Sequence, residues 1–342
     1  MKSGIEEWQT IRKLMQGYRS VQVLLTCSHL GIFRHLAAGP RGAEKIAELT
    51  ASHPEAMRRL LNAAVAGGLL IKTGGVYANS SLAATCLAEE GPLFLGNMAR
   101  LEQAHYKRWG RLPEAIHTGR WPEPNRQMEE PTRWVHNFVF ALYDMARASA
   151  PAIAEVLELA TDRPLRLIDV GGGHGGYSMA LARRYPHLTA TVFELPAVAE
   201  VAREIIAGGG LNDRVTVQAG NFQQEELGHG YDVALLFGVL VSETDEGKRA
   251  LLRKVHAALV PDGLVAIRDL LLNPDDPAQT AEAALFSLHT LLANGVGDVA
   301  TLAQMQDGLI EAGFESLRFL ELPSLMGMNL FVARKSRQDF SG

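Results

Sequence analysis

The segment from Leu167 to Gly176, Leu-Ile-Asp-Val-Gly-Gly-Gly-His-Gly-Gly, constrains the fold more than any other part of the chain. A short apolar run ends at Val170, five of the next six residues are glycine, and a helical pattern begins near Tyr177. A strand, a glycine turn and a helix in this order build a ligand-binding corner in doubly wound sheets. Glycine is needed because the turn uses unusual φ values and the ligand touches bare backbone. The segment therefore predicts a parallel sheet with a nucleotide-like ligand at its first βα turn.

Two acidic residues flank this turn and favour one kind of ligand. Asp169 precedes the glycines, and Glu194 ends the next predicted strand, 23 residues beyond Gly171, where a carboxylate can hold both ribose hydroxyls. A dinucleotide-binding dehydrogenase shares this geometry, but its fold usually starts with the nucleotide-binding half, whereas about 160 residues precede this loop. An acid before the turn and His174 within it suit a ligand that carries an amino acid and a positive charge, such as S-adenosylmethionine.

Length and composition are those of an ordinary globular protein with room for two domains. The chain has 342 residues, is 47% apolar and carries a formal net charge of −5, which gives no general attraction to nucleic acid or anionic membranes. Cys27 and Cys86 lie far apart without metal-type spacing, so we expect inert thiols, no metal site and a cytosolic location. The charged N-terminal segment does not resemble a signal peptide, and no apolar run is long enough to span a bilayer.

The predicted first domain, residues 1–110, is helical with one small hairpin. The predicted elements are a helical stretch over Ile5–Leu36, helices over Ala43–Leu49 and Pro54–Ala66, and a hairpin over Leu69–Ala78 with Gly74 and Gly75 at its tip. Helix, helix, hairpin is the order of a winged helix, a fold that often binds DNA. Residues 1–100 carry only 11 Lys/Arg against 7 Asp/Glu, however, far from a basic footprint. We therefore expect dimerisation rather than nucleic-acid binding.

Residues 111–160 are predicted to form a helical connector, and residues 161–342 the ligand-binding domain. Apolar side chains recur at helical spacing before the sheet begins, with one predicted face formed by Trp109, Leu112 and Ile116 and another by Trp134, Phe138, Leu142, Met145 and Ala146. Such stripes are usually core, but Trp109, Phe138 and Met145 are equally candidates for the wall of a substrate cavity.

From residue 166 onward, predicted strands alternate with predicted helices. The strands fall near 166–170, 189–194, 214–219, 231–237 and 263–269, and two further strands, 315–320 and 328–333, close the chain. The pattern predicts a Rossmann-like α/β sheet of five parallel strands with a closing antiparallel pair, an arrangement that resembles the sheet of class I S-adenosylmethionine-dependent methyltransferases.

Five short motifs carry a family resemblance that covers the whole chain. They are Asp169-Val-Gly-Gly-Gly, Phe193-Glu-Leu-Pro196, Gly220-Asn-Phe222, Ala258-Leu-Val-Pro-Asp-Gly263 and Glu311-Ala-Gly-Phe314. In their order and spacing the chain resembles the small-molecule O-methyltransferases grouped with caffeic acid and acetylserotonin O-methyltransferases, in which a winged-helix dimerisation domain precedes the catalytic sheet. The resemblance implies a homodimer that transfers a methyl group from S-adenosylmethionine to a small, aromatic or conjugated metabolite.

The resemblance also implies which residues hold the cofactor. They are Asp169, Gly171 and Gly173 for the methionine part, Glu194 and Leu195 for the ribose, Asn221 and Phe222 for the adenine, and Phe237 at a position where a lysine normally helps to hold the cofactor. Asn221 replaces the usual aspartate, and its amide oxygen can still accept a hydrogen bond from the adenine amino group. The alternative for Asn221 is a turn residue after the third strand.

The chain departs from the family at residues 236–245, where the family normally has Lys-Asn-Val-Leu-His-Asp-Trp. Val241 stands at the position of the histidine that deprotonates the acceptor hydroxyl, and Ser242, a candidate for the pocket mouth, follows it. Valine cannot accept a proton. The acceptor is therefore expected to arrive ionised, to attack through carbon, or to lose its proton to another residue.

His289, in an apolar helical segment, is the best substitute base, with a hydrogen-bonded core histidine as the alternative. Asp269 and Asp298 match the two acids that orient the missing histidine in the family. They could hold a substrate group or a metal beside His289, and Asp269 could simply cap a loop. Two further alternatives stay open, namely an enzyme that binds S-adenosylmethionine without transferring its methyl group, as in hydroxylation, decarboxylation or pericyclic chemistry, and a DNA-binding regulator.

Overall fold

The chain folds into two compact units, Met1–Tyr106 and Lys107–Gly342. The computed structural model describes residues 2–120, 131–272, 277–293, 295–320 and 329–337. The first unit ends at residue 106 rather than at the predicted 110. Within the described ranges, no helix combines the length and the apolar content needed to cross a bilayer.

The helices of the first unit are shorter than the sequence pattern indicates. The predicted stretch Ile5–Leu36 is divided at Gly17 and again at Gly31, whose φ of +66° is a left-handed conformation that glycine adopts without strain. The helices are α1 (Lys2–Gln16), α2 (Tyr18–His29), α3 (Ile32–Ala37), α4 (Ala43–Leu49), α5 (Pro54–Ala66), α6 (Ser81–Cys86) and α7 (Gly96–Trp109), the last extending past the first unit. Buried side chains from α2 to α6, among them Phe33 and Leu61, form one core.

The predicted hairpin is present in this unit. Strands β2 (Leu70–Thr73) and β3 (Val76–Asn79) pair antiparallel, and β1 (Arg41–Gly42) joins the free edge of β3. The buried Tyr77 hydroxyl donates to Asn62 Oδ1 at 2.8 Å and ties the hairpin to α5. The helix, helix, hairpin order expected from the sequence is therefore observed.

The second unit is built on a seven-stranded sheet whose strands all match predicted ones. They are β4 (Leu165–Val170), β5 (Leu188–Glu194), β6 (Val215–Ala219), β7 (Tyr231–Phe237), β8 (Leu259–Asp269), β11 (Phe314–Leu320) and β12 (Asn329–Lys335). The order is β11-β12-β8-β7-β4-β5-β6, with β8 through β6 parallel and β12 antiparallel to both β8 and β11. Strand β8 begins at Leu259 rather than near 263, because the bend at Asp262, with φ of +65°, is an irregularity inside the strand.

The predicted connector, 111–160, lies within the second unit. The remaining elements of the second unit are α8 (Leu112–Thr118), α9 (Pro131–Val156), α10 (Gly176–Arg184), α11 (Pro196–Gly208), a 3-10 turn (Leu240–Ser242), α12 (Asp245–Ala258), β9 (Leu271–Leu272), α13 (Pro277–Ala293), β10 (Ala300–Thr301) and α14 (Leu302–Glu311). Helix α9 packs against α10 and α11, and its Ile153 shares a core with β4. Of its predicted apolar face, Ala146 and Phe138 pack in this core.

The prediction that Trp109, Leu112 and Ile116 share one face of a helix is wrong. Helix α7 ends at Trp109 and α8 begins at Leu112, so a turn separates the two residues. Ile116 is 60% exposed and is not part of a core. A helical period read across a turn joins side chains that do not share a helix.

Side chains alternate across the sheet and build one core on each face. One core combines the strands with α9, α10 and α11, and the other combines them with α12 and α14. The carboxyl ends of the parallel strands lie along the same edge of the sheet. The chain leaves β4 toward β5 on one side and leaves β7 toward β8 on the other, so the strand order reverses between β4 and β7. Ligands bind at such a switch point in open α/β sheets, so the site residues are sought there.

Candidate active site

The loop between β4 and α10 folds around glycines in conformations that other residues avoid. Gly171, Gly173 and Gly175 have φ values of +64°, +51° and +67°. A Cβ atom on Gly172 would lie 2.5 Å from the carboxyl carbon of Asp169. Side chains are therefore excluded from the turn, and its backbone is left accessible for close approach by a ligand.

Asp169 ends β4 beneath this loop with its carboxyl group only half satisfied. The residue is 1% exposed, and its Oδ2 accepts a hydrogen bond from Ser178 Oγ at 2.7 Å. Its Oδ1 is buried and has no partner among the residues that the structure describes. Burial raises the pKa of Asp169 to about 7, against the Ser178 hydrogen bond, which lowers it. An unpartnered buried oxygen is costly, so this atom is suited to a donor group on a ligand.

Glu194 ends β5 and reaches back to the glycine turn. Its Oε2 accepts the Gly173 N–H at 2.9 Å, and its Oε1 accepts the Leu195 N–H at 2.7 Å. Burial raises the pKa of Glu194, and these two backbone donors oppose the rise. The structure thus brings together Gly173, Glu194 and Leu195, three of the residues predicted to hold the cofactor.

Asn221 lies at the end of β6, beside the Glu194 strand. Its Oδ1 accepts the Gln223 N–H at 2.9 Å, which is the turn-forming alternative considered from the sequence. A carbonyl oxygen has a second lone pair, so the adenine role stays a prediction. The neighbouring Phe222 is half-buried against the second core, and its carbonyl accepts a hydrogen bond from Lys254 Nζ at 2.9 Å.

A buried polar cluster that the sequence analysis did not identify lies beside Phe237. The Phe237 ring meets the edge of Tyr177 at 4.9 Å between centroids, and the Tyr177 hydroxyl lies 3.1 Å from Ser149 Oγ. Arg268 Nη1 donates to the same hydroxyl at 2.8 Å, although the residue is only 6% exposed. The sequence signal for this cluster was the charged Arg268, which directly follows the apolar residues 264–267 of β8. His174 completes the group, and burial lowers its pKa to about 4.

Val241, which the family resemblance predicts to stand in the place of a base, is packed into an apolar cluster. The residue is 5% exposed and lies in the 3-10 turn after β7. Its neighbours in this cluster are Leu270, Ala283 and Val299, with Leu272 and Phe286 half-buried against them. The position therefore contributes packing, and no group at residue 241 can take a proton from an acceptor.

Asp269 ends β8 next to this valine and is fully engaged by backbone groups. Its Oδ2 accepts the Val241 N–H at 3.1 Å, and its Oδ1 accepts the Leu270 N–H at 2.9 Å. The residue is 2% exposed, and burial raises its pKa to about 7. These two hydrogen bonds correspond to the loop-capping alternative, and a role of Asp269 toward the acceptor stays a prediction.

His289 and Asp298 lie on α13 and in the loop that follows it. Asp298 Oδ1 accepts hydrogen bonds from Ser287 Oγ at 2.6 Å and from the Val299 N–H at 2.7 Å. The half-buried His289 ring stacks on Phe286, with 5.4 Å between centroids and an interplanar angle of 21°. Because Phe286 packs against the Val241 cluster, an imidazole lies in the neighbourhood of the missing base.

The remaining pocket candidates occupy different environments. Phe138 stacks on Trp134 at 5.1 Å and packs against the first core of the sheet, whereas Trp109 and Met145 are half-buried and Ser242 is exposed. Their place in a cavity wall stays a prediction. No group of three or more metal-type ligands occurs in the described part of the chain.

Comparison with known proteins shows the family to which this chain belongs. Models of the O-methyltransferase domain and of the O-methyltransferase dimerisation domain match residues 137–315 and 12–89. The chain is 32% identical to 3-hydroxy-5-methyl-1-naphthoate 3-O-methyltransferase of Streptomyces sahachiroi, over 94% of this chain and 93% of that protein. It is 35% identical to L-tyrosine C(3)-methyltransferase of Streptomyces lavendulae, over 54% and 50%. The structure of human N-acetylserotonin methyltransferase in complex with SAM matches with a TM-score of 0.86 at 23% identity, over 96% and 98%.

The chain therefore belongs to the O-methyltransferase family that carries an N-terminal dimerisation domain. It is an S-adenosylmethionine-dependent methyltransferase that acts on a small molecule, and the predicted family, fold class and cofactor are confirmed. The residues at the glycine turn fit this cofactor, because Asp169 offers a buried, unpartnered carboxylate oxygen beside a turn that excludes side chains.

Proposed function

We propose that this enzyme methylates an ionisable oxygen of a small aromatic acceptor, with no proton acceptor at residue 241. The observation that carries the proposal is the packing of Val241, 5% exposed, among Leu270, Ala283 and Val299. His289 is the proposed proton acceptor, because its imidazole stacks on Phe286, which contacts the same cluster. The naphthoate relative supports an aromatic acceptor that bears an acidic hydroxyl group.

The missing base is a loss that such chemistry can tolerate. A phenol with a pKa near 10 is ionised to about one part in a thousand at pH 7, a deficit of about 4 kcal/mol. A positioned base typically contributes about 10²–10⁴-fold in rate, whereas alignment of the reacting groups contributes about 7–11 kcal/mol. When bound, S-adenosylmethionine supplies an electrophilic methyl group on a sulfonium ion. The protein's main contribution is then to align an acceptor that is already partly ionised.

Transfer to carbon is the second candidate. An electron-rich ring carbon needs no deprotonation before it attacks, so this route, too, requires no proton acceptor at residue 241. The relative named L-tyrosine C(3)-methyltransferase supports transfer to carbon. Both routes require a phenol or enol that faces the methyl donor.

We assign the cofactor contacts by the same reasoning. Gly171, Gly173 and Asp169 are proposed to hold the methionine part, supported by the crowded turn and the half-satisfied carboxyl group. Glu194 and Leu195 are proposed to lie at the ribose, next to the turn to which Glu194 is hydrogen-bonded. The remaining assignments are Asn221 and Phe222 at the adenine and Phe237 beside the cofactor.

The experiment is release of S-adenosylhomocysteine from S-adenosylmethionine on incubation with 2-naphthol, 3-hydroxy-2-naphthoate and tyrosine, followed across pH 5.5–9. With a compound that is turned over, His289→Ala is expected to lower the rate about 10²–10⁴-fold and to remove an inflection from the pH profile. His289→Gln keeps the side-chain volume and tests packing alone. His136→Ala, an exposed histidine of α9, is the matched control.

Two outcomes would contradict parts of this proposal. An unchanged turnover and pH profile in His289→Ala would remove His289 as the proton acceptor. Products methylated at carbon, identified by mass spectrometry and NMR, would replace oxygen by carbon as the acceptor atom.

The proposal includes a homodimer formed through the N-terminal domain in the cytosol, without nucleic-acid or membrane partners. The dimer is supported by α1, whose Ile5, Trp8, Ile11 and Leu14 form a stripe at helical spacing and are 57–73% exposed. On α5, Arg58 and Arg59 are paired with Glu55, which argues against a free DNA-reading face. The cysteines are free thiols, and burial raises the pKa of Cys27 to about 12, which fits a reducing compartment.

A further inference from the structure

Arg268 is a buried cation in the interior of the sheet domain. It is the tenth of the eleven residues of β8 and follows an apolar run from Leu264 to Ile267. The residue is 6% exposed, and its strand position pairs in register with Phe237 at the end of β7. The guanidinium therefore lies at the edge of the sheet where parallel α/β folds bind ligands.

The guanidinium group has far fewer partners than its five N–H donors require. Nη1 donates to Tyr177 Oη at 2.8 Å, and the group lies 5.6 Å from the centroid of the same ring. Nε is buried and has no partner among the described residues. Within those residues Arg268 also forms no ion pair with a carboxylate. Its only polar neighbour by hydrogen bond is thus a neutral hydroxyl.

The described groups around Arg268 form no ion pair with it. The His174 pKa is lowered to about 4 by burial and by the charge of Arg268, and Nδ1 accepts the Gly176 N–H at 2.9 Å, so the ring is neutral. Tyr177 Oη is shared with Ser149 Oγ at 3.1 Å. Asp269, the next residue along the chain, interacts with the charge of Arg268, which lowers the Asp269 pKa, but burial holds that pKa at about 7 and both carboxyl oxygens accept backbone N–H groups rather than the guanidinium.

A buried cation without an ion-pair partner is costly, because its desolvation is not fully offset by a paired charge. Replacing such a residue by an apolar one of similar size is often neutral or stabilising. The guanidinium is therefore poorly explained by stability alone. Its rigid fork of donors is suited to a carboxylate or another anionic oxygen.

We propose that Arg268 binds an anionic oxygen of a ligand held at the carboxyl ends of β7 and β8. The inference rests on the proposed function, since both candidate sources are ligands of that reaction. One source is the carboxylate in the amino-acid part of the methyl donor, and the other is a carboxylate or phenolate of the acceptor. The shared chemistry is an anionic oxygen that completes the hydrogen bonds of the guanidinium.

The test compares wild type with Arg268→Met and Arg268→Lys by calorimetry. The donor arm uses S-adenosylhomocysteine and 5′-methylthioadenosine, which lacks the amino-acid part and its carboxylate. The acceptor arm uses 3-hydroxy-2-naphthoate and 2-naphthol, each in the presence of saturating S-adenosylhomocysteine. Lys335→Met is the control, because it removes another buried cation from the same sheet, one that donates to Leu259 at the opposite end of β8.

Arg268→Met is expected to weaken binding of a carboxylate-bearing compound about 30-fold or more and to leave its neutral counterpart within about twofold. Arg268→Lys is expected to recover part of the loss. The arm in which the loss occurs identifies the source of the anion. Thermal unfolding of the ligand-free Arg268→Met protein is expected at or above the wild-type temperature.

Arg268→Met that behaves like wild type toward all four compounds would overturn the proposal. An equal loss for the charged and neutral members of both pairs, with a lowered unfolding temperature, would also overturn it, since that result defines a structural role. These measurements require no turnover, so they can succeed or fail independently of the His289 experiment.

Discussion

At the end of β4, Asp169 keeps one buried carboxyl oxygen without a partner among the described residues, whereas at the end of β8 both oxygens of Asp269 are occupied by backbone N–H groups. The two acids are equally buried, and burial raises the pKa of each to about 7. They differ in what surrounds them. Asp169 lies under a glycine turn that excludes side chains, and Asp269 lies against an apolar cluster around Val241.

This difference separates the two parts of the proposed site. The proposed donor edge, formed by the ends of β4 and β5 and the glycine turn, keeps an unpartnered carboxyl oxygen on Asp169. At the proposed acceptor edge, formed by the ends of β7 and β8 with α13, both oxygens of Asp269 accept backbone N–H groups and Val241 is packed in an apolar cluster. The unpartnered oxygen of a half-satisfied carboxyl group remains available for binding.

Gly172→Ala should have the largest effect, at the donor edge. The added Cβ would lie 2.5 Å from the Asp169 carboxyl carbon, and overpacking of this kind costs about 1–3 kcal/mol, or about 5- to 150-fold in affinity. Calorimetry with S-adenosylhomocysteine measures the loss. Gly208→Ala is the control, because a Cβ on this helical residue meets no atom within 4 Å. Equal affinities for the two variants would contradict a tight turn.

Val241→Ala should affect stability without affecting the donor edge. The cavity left by two methyl groups in the cluster is expected to lower the free energy of unfolding by about 1–3 kcal/mol. Affinity for S-adenosylhomocysteine is expected to stay within about twofold. Val255→Ala, on α12 in the core that α12 and α14 form with the sheet, is expected to show the same loss of stability with unchanged affinity. A tenfold loss of affinity in Val241→Ala alone would mean that the two edges are not separate.

The two acids should respond differently to pH. The pKa of each acid is about 7 in the folded protein, against 3.8 for an aspartate in water. Between about pH 4 and 7 the folded state therefore binds more protons than the unfolded state, and the ligand-free protein loses stability as the pH rises through that range. Donor affinity, in contrast, should rise with pH to about 7, by up to about tenfold per unit, as Asp169 ionises.

Substituting each acid in turn separates their contributions to the pH dependence of stability and of donor affinity. Asp169→Asn should abolish the pH dependence of S-adenosylhomocysteine binding, whereas Asp269→Asn should flatten only the pH dependence of unfolding. A pH-dependent affinity that persists in Asp169→Asn would show that another group titrates at the donor edge.

Ser287→Ala should have the smallest effect. It removes the 2.6 Å hydrogen bond to Asp298 in an exposed loop, which is expected to cost about 0.5–1 kcal/mol of stability. The exposed Ser81→Ala, in the first unit, is the control and should be neutral. If Asp298 acts at the acceptor edge, Ser287→Ala should in addition raise the KM for the acceptor, and a change in stability alone would assign Asp298 to the loop.

Much of the fold and of the donor edge could be predicted from the sequence, because their signals are local. The glycine run predicts its own turn, and alternating apolar runs predict the strands. Trp109 and Leu112 show where this fails, since a helical period continues in the sequence through a turn that ends the helix. Asp269 shows a second limit, because one of its partners is the Val241 N–H, 28 residues away.

The sequence by itself indicated the family, the positions of the strands along the chain and the glycine turn with its acids, and the family resemblance implied that Val241 stands in the place of a base. Only the tertiary structure decided which polar groups are satisfied and which are not. Arg268, for example, follows an apolar run in β8, and its hydrogen-bond partner, Tyr177, lies 91 residues away in the sequence. The physical reason is that backbone conformation follows largely from local residues, whereas the charge and hydrogen bonding of a buried side chain depend on neighbours that only folding brings together.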